Sequence, residues 1–96
     1  MLKFPQIARE AAPEDPNVAD TLGWIYYQKG LIDMSYPLVS DASKLLGKSA
    51  VVRYHHGMVL SKKGKTKEAA AELKAALALD AGFPGAEDAK KALAGT

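Results

Sequence analysis

Apolar residues recur along this chain at helical spacing, and turn-forming residues interrupt the pattern at regular intervals. The pattern predicts four main helices, over residues 16–29, 32–46, 50–63 and 66–79. It also predicts the end of an earlier helix over residues 5–12 and a last helix over residues 84–94. The chain is therefore predicted to be all-α.

Local residue types predict where these helices begin and end. The polar residues placed to cap helix starts are Asp15, Ser49 and Thr66. Pro16 and Pro84 are each predicted to occupy the first helical position, where the missing N–H costs nothing. Gly30 and Gly64 are predicted to end helices in left-handed turns. Pro37 should either bend the second helix or delay its start.

The pattern of residues 22–30 returns over residues 56–64. The matched pairs are Gly23 with Gly57, Gly30 with Gly64, Ala42 with Ala76, and Leu45 with Leu79. All four pairs have the same separation, which we call the repeat period, and a fixed period of this length indicates stacked repeats. We divide the chain into the tail of a preceding repeat (5–15), two repeats (16–49 and 50–83) and a C-terminal capping helix (84–96).

The register of these repeats resembles the tetratricopeptide repeat. The matching residues are Leu22, Gly23, Tyr26, Ser35, Val39 and Ala42 in the first unit, and Gly57, Leu60, Ala69, Leu73 and Ala76 in the second. The chain departs from the family at Gly47 and Ala81, where proline is usual. The resemblance implies a right-handed superhelical stack of antiparallel helix pairs, with about two and a half repeats. The amino-acid sequences of residues 20–24 and 83–87 are similar to those in the C-terminal repeats of bacterial proteins linked to envelope or exopolysaccharide export.

The repeat register also predicts the core. Gly23 and Gly57 should lie where the two helices of a unit cross, because the missing side chain lets the backbones approach closely. Ala42 and Ala76 should fill the same crossings from the other helix. The large residues predicted to be buried are Leu22, Tyr26, Leu38, Leu45, Leu60, Leu73 and Leu77.

Composition narrows the possible functions. The chain has 96 residues, enough for one domain, and its net charge of +2 is too small to indicate nucleic-acid binding. The absence of cysteine excludes disulfides and thiolate metal sites. No apolar run approaches the roughly 18 residues that span a bilayer, so we expect no membrane insertion. The chain opens partway through a predicted repeat, as a fragment of a longer protein would.

Three motifs are candidate sites. The segment 64–66 ends like a phosphate-binding loop, but Val59 stands where that motif needs glycine. His55 and His56 point about 100° apart on a helix and cannot chelate one metal, so we expect His55 to face the groove and His56 to be half-buried. The lysines at 62, 63, 65 and 67 lack interleaved aromatic residues and suit a solvated turn. We predict no catalytic, cofactor or metal site, and no nucleic-acid partner.

The remaining candidate is a surface that the family resemblance implies. In this family the first helix of each unit lines a concave groove. The corresponding residues are Asn17, Asp20, Trp24, Tyr27, Gln28, Val51, Tyr54, His55, Met58, Ser61 and Lys62. Trp24, Tyr27, Tyr54 and Met58 should form an apolar strip, since such side chains are common binding anchors. We expect Asp20, Gln28, His55 and Lys62 to form its polar rim.

The predicted function is a protein–protein interaction module that binds a peptide or protein segment in this groove, and not an enzyme. The alternative is a structural or self-associating segment of a longer array, in which Trp24 merely covers a neighbouring helix. Self-association through an exposed terminal repeat face is expected because a truncated first unit leaves an apolar edge. The clamp that grips chaperone C-termini is missing, because Thr21 and His55 stand where that clamp has asparagine.

Overall fold

The computed structural model describes residues 14–95, and this part of the chain is all-α. It contains five helices, α1 (Pro16–Gln28), α2 (Ile32–Leu45), α3 (Ala50–Lys62), α4 (Thr66–Leu79) and α5 (Ala86–Ala94). No strand occurs between residues 14 and 95. The helix end predicted over residues 5–12 lies outside the described residues.

The helices form two pairs with matching bounds. Both ends of α3 and both ends of α4 lie one repeat period after the ends of α1 and α2. The turns also match, because Gly30 and Gly64 each have φ 82°. In each turn the residue after the glycine donates its N–H back to the last helical turn, from Leu31 to Tyr26 O at 2.9 Å and from Lys65 to Leu60 O at 3.0 Å. This Schellman arrangement ends α1 and α3 as the glycines predict.

Two of the three predicted N-caps are confirmed. The Asp15 carboxylate accepts the Asn17 N–H at 2.9 Å, and the Ser49 hydroxyl accepts the Val52 N–H at 3.2 Å. The prediction that Thr66 caps α4 is wrong. Lys65 occupies the cap position without a side-chain hydrogen bond, and Thr66 is already the first helical residue.

The helix start predicted at Pro84 is wrong, and of the two outcomes predicted for Pro37 the delayed start does not occur. Pro37 does not delay α2, which starts at Ile32 and includes the proline in its second turn. Pro84 does not start α5, which begins at Ala86 after Gly85 in a left-handed conformation, φ 110°. The physical reason is that Phe83 is buried, with 3% exposure, and holds the loop before α5 against the core. The chain then turns at Gly85, and the helix begins after it.

The two helix crossings depend on glycine, as predicted. A Cβ atom on Gly23 would lie 2.7 Å from Cγ1 of Val39. A Cβ atom on Gly57 would lie 2.8 Å from Cδ2 of Leu73. Ala42 and Ala76 are fully buried. Each pair therefore packs at a distance that a side chain at the crossing would not allow.

The predicted core residues are confirmed in part. Leu60 and Leu73 are buried, while Leu22, Tyr26, Leu38 and Leu77 are half-buried. The prediction for Leu45 is wrong, since its exposure is 68%. It is the last residue of α2, and its counterpart Leu79 at the end of α4 is also exposed, at 45%. Both leucines therefore lie on the solvent side of the last turn of their helices.

Contacts between helices follow chain order along an elongated body of 48 × 24 × 18 Å. The first pair contacts the second through α2 against α3 and α1 against α3. The short helix α5 packs on α3 and α4 only. None of the described helices has the length and apolar character needed to cross a bilayer.

Candidate functional site

Four rings from the first helices of the two pairs form an aromatic cluster, which consists of Trp24, Tyr27, Tyr54 and His55. Trp24 stacks on Tyr27 with 4.5 Å between ring centroids and an interplanar angle of 11°. Its other face stacks on His55 at 4.0 Å and 20°. Tyr54 lies 5.5 Å from Trp24 in a tilted arrangement. The indole is therefore held between two rings, with its edge left toward solvent.

A buried contact between His55 and Asp20 fixes the inner side of this stack. Nδ1 of His55 lies 2.8 Å from Oδ1 and 3.0 Å from Oδ2 of Asp20. The exposures of the two residues are only 7% for Asp20 and 9% for His55. The expectation that both belong to a solvated rim is therefore wrong. They face each other because α1 and α3 pack side by side, and the carboxylate holds the imidazole flat against Trp24.

Tyr54 supports the fold more than it offers a surface. Its ring is 6% exposed, lies 5.4 Å from the Phe83 ring and leaves no room for a side chain at Gly85. Its hydroxyl donates to Oδ2 of Asp88 at 3.3 Å. Burial, reinforced by the Asp88 carboxylate, raises the pKa of Tyr54 to about 12. The expected exposed anchor at this position is therefore a buried link between α3 and α5.

Asp88 on α5 is a site residue that the sequence analysis missed. Asp88 is exposed. Burial of Tyr27 raises the pKa of its hydroxyl, and the negative charge of Asp88 raises that pKa further. Asp88 accepts a hydrogen bond from the Tyr54 hydroxyl, and its charge also acts on Tyr27. The repeat register contained the signal, because Asp20, Tyr54 and Asp88 occupy the same position in successive repeat periods.

The other predicted surface residues are more accessible. Val51 and Met58 are half-buried and pack partly on the core that contains Tyr54, as Trp24 does. Asn17, Gln28, Ser61 and Lys62 are exposed. Asn17 lies in the first turn of α1, and the other three lie in the last turns of α1 and α3. The accessible surface thus consists of the Trp24 edge, Tyr27 and Met58, with polar residues toward the helix ends.

A second polar cluster lies away from the aromatic rings, around Glu72 of α4. Its carboxylate accepts from Arg53 Nη1 at 3.0 Å, from Ser43 Oγ at 3.2 Å and from His56 Nδ1 at 3.2 Å. These hydrogen bonds and charges, led by the bond from His56, lower the pKa of Glu72 against the opposing effect of burial. The prediction that His56 is half-buried is confirmed. The two adjacent histidines bind different carboxylates.

A shallow open cavity of about 310 Å³ lies beside Asp88. Its lining residues are Ala81, Gly82, Phe83, Gly85, Ala86, Glu87 and Asp88. Across residues 14–95 no group of three or more His, Asp or Glu side chains is arranged to hold a metal ion. Every buried side-chain nitrogen or oxygen described in this part of the chain has a hydrogen-bond partner.

The chain was compared with models of known protein families and with curated proteins, and neither comparison gives a match.

Proposed function

We propose that this chain is a protein–protein interaction module built from tetratricopeptide-type repeats. The supporting observations are the helix bounds that recur after one repeat period and the glycines at both helix crossings. The proposed architecture is a right-handed superhelical stack of about two and a half repeats, closed at its C-terminal end by α5. The family assignment rests on these features and on the sequence register.

The proposed ligand is a peptide or protein segment that lies across Trp24, Tyr27 and Met58. The observation that carries this proposal is the fixed position of Trp24 between Tyr27 and His55. An anchor that is already ordered loses little conformational entropy when a partner binds, so more of its contact energy becomes affinity. Aromatic and methionine side chains are also the types most often found as interface anchors.

The charge near the strip favours one feature of the partner. The exposed Asp88 carboxylate accepts a hydrogen bond from the Tyr54 hydroxyl, and its negative charge acts on Tyr27. A basic side chain next to an apolar residue would pair with this carboxylate while its neighbour contacts Trp24. We therefore propose a segment that places Lys or Arg near Asp88.

We propose no catalytic role, because both histidines are engaged in the fold through Asp20 and Glu72. The lysine-rich turn is likewise assigned to structure and solvation. Lys63 lies 3.5 Å from Oδ1 of Asp33 and 4.9 Å from the Tyr36 ring centroid. These contacts join Lys63, one of the four lysines, to α2.

A displayed library of random peptides, selected on the full chain, tests this proposal. Trp24 is the chain's single tryptophan, so its fluorescence reports binding at the site directly. We expect selected peptides to change that fluorescence and to bind with micromolar Kd, since the strip is smaller than a standard interface of about 800 Å² per partner. Tyr27→Ala with Met58→Ala should weaken binding at least tenfold.

The matched control is Lys65→Ala with Lys67→Ala, which changes the exposed basic turn. It should leave affinity within about twofold at moderate salt. If the lysine variant loses binding and the Tyr27–Met58 variant keeps it, the site is the turn and the proposed surface is wrong. Tyr54→Ala is unsuitable here, because Tyr54 is buried against Phe83.

A second candidate function is self-association through the exposed end of the first repeat. The exposed aliphatic residues Val18 and Ile25 on α1 favour it.

A further inference from the structure

The end of the first helix pair that faces away from the second presents an aliphatic surface. We define this N-terminal face as Val18, Leu22 and Ile25 on α1 and the half-buried Leu38 on α2, which also packs on the cluster of Ala19, Ala42 and Val52. Because the helix bounds recur after one repeat period, each position has a counterpart in the second pair. The counterparts are Val52, His56, Val59 and Glu72.

The first helix pair covers these counterparts. Val52 is 4% exposed and packs with Ala19 and Ala42. Glu72 accepts a hydrogen bond from Ser43 of α2, and the His56 ring lies 6.4 Å from the Tyr36 ring of α2. The equivalent surface of the second pair is therefore an interface that a helix pair occupies.

The exposures show the difference that a covering neighbour makes. Val52 and Val59 are 4% and 0% exposed, while Val18 and Ile25 at the same positions of α1 are 48% and 41% exposed. The residue class is the same in both pairs. Covering Val18 and Ile25 to the extent seen at Val52 and Val59 would remove apolar surface from water and stabilise the contact.

The N-terminal face is also less polar than its covered counterpart. Leu22 replaces His56 and Leu38 replaces Glu72, so none of the four positions carries a charge. In the second pair the covering surface supplies Ser43 to Glu72. A partner of the N-terminal face needs no such polar group. Another aliphatic face can therefore pack against it without leaving a polar group unpaired.

Spacing and charge along α1 indicate that this other face belongs to a second copy. Val18, Leu22 and Ile25 are spaced by four and then three residues, which is the spacing of an apolar seam between two helices. An antiparallel pairing centred between Thr21 and Leu22 places Val18 opposite Ile25 of the second copy. The same pairing places the exposed acidic residues Glu14 and Asp15 opposite the exposed Lys29 of the second copy.

The opposite end of the molecule does not fit this face. The outer side of α5 carries exposed Glu87, Lys90 and Lys91, and Lys90 lies 3.4 Å from Glu87. A head-to-tail contact would bury these charges against leucine and valine, which is unfavourable. A contact between two identical faces avoids that cost and closes on itself.

We propose that two copies of this chain associate through their N-terminal faces into a closed two-fold dimer, with the two α1 helices antiparallel. The proposal develops the self-association named above and does not depend on the aromatic surface. A variant of the N-terminal face should therefore leave peptide binding at Trp24 unchanged, so the two proposals can fail separately.

Sedimentation velocity of the full chain over a concentration series tests the dimer. We expect monomer and dimer only, with no larger species. Ile25→Lys should weaken dimerisation at least tenfold, because it places a charge in the centre of an aliphatic contact. Leu79→Lys is the matched control, since Leu79 has a similar exposure of 45% but lies outside the face, and it should leave dimerisation unchanged.

Charge reversal tests the antiparallel arrangement. Glu14→Lys and Lys29→Glu should each weaken the dimer, and the double variant should restore it because opposite charges face each other again. A double variant as weak as the singles would overturn the antiparallel pairing. A chain that stays monomeric at every concentration, or equal effects of Ile25→Lys and Leu79→Lys, would overturn the dimer and point to cover by residues 1–13 of the same chain. Circular dichroism of each variant confirms that the helices remain.

Discussion

One carboxylate, that of Glu72, links three helices. Its three donors come from α2 and α3, while Arg53 also donates through Nε to Gly47 O at 2.8 Å in the loop between them. Glu72 and Arg53 are only partly exposed, with side-chain exposures of 17% and 31%. Hydrogen bonds to a charged group in such surroundings are stronger than those between neutral groups. The packing of the first pair on the second therefore depends partly on the ionisation of Glu72.

Replacing Glu72→Gln should lower the free energy of unfolding at neutral pH by about 1 to 3 kcal/mol, since it removes charged hydrogen bonds to Arg53 and His56. The pKa of Glu72 is lowered in the fold, so its contribution is present above its unfolded pKa of about 4.3 and is lost as pH falls through the lower folded value. Urea denaturation of both proteins at neutral and acid pH measures this effect.

The matched control is Glu68→Gln, one turn earlier on α4, where the side chain is exposed. It should change stability by less than about 0.5 kcal/mol. If Glu72→Gln lost as much stability at acid pH as at neutral pH, the ionised carboxylate would not be the source of the stabilisation.

At the scale of the helix pair, the crossing points leave the least room for substitution. Gly57→Ala should destabilise the protein by about 1 to 3 kcal/mol, because the added methyl meets Leu73 at 2.8 Å and the Ala69 carbonyl oxygen at 3.3 Å. Thermal unfolding followed by circular dichroism measures the loss. Gly82→Ala serves as control, since its nearest neighbour would be 3.9 Å away, and it should melt close to the wild type. Equal melting of the two variants would contradict close packing at this crossing.

Most of the helix bounds could be predicted from sequence because the residues that set them act locally. Asp15, Ser49, Gly30 and Gly64 act on the backbone within a few residues, so the predicted bounds of α1 to α4 lie within one residue of those observed. Thr66 is of a residue type that often caps helices, so the sequence predicts it as the cap of α4. In the structure Lys65 occupies that position. The repeat register was enough to predict that Gly23 and Gly57 lie at the helix crossings.

The side-chain partners across helices could not be predicted from sequence. Asp20 and His55 are 35 residues apart, and their pairing depends on how α1 and α3 lie against each other. The family resemblance implied that Tyr54 lies on the binding surface, but Phe83 and Gly85 from the loop before α5 bury it. Phe83 is the last residue of the second repeat and Gly85 lies beyond it, so this loop lies where the repeat pattern ends and no longer specifies the backbone.

Over the whole molecule, the stability of each helix should depend mainly on the helices that it contacts directly. The described helices α1 and α2 do not pack on α5, while α3 contacts both ends of the array. Proteins of this arrangement are stabilised by each unit and by the interfaces between adjacent units. A change at one end should therefore loosen the helices beside it more than those at the far end.

Phe83→Leu tests this expectation at the C-terminal end. The smaller side chain loses ring contact with Tyr54, which should cost about 1 to 2 kcal/mol and loosen the packing of α5 on α3. Native-state hydrogen exchange should show faster exchange in α5 and in the second pair, with a smaller change in α1 and α2. Pro84→Ala, at the exposed neighbouring residue, is the control and should leave the exchange pattern unchanged. Equal acceleration in all five helices would mean that the chain opens only as one cooperative unit, and the dependence on neighbouring helices would then be wrong.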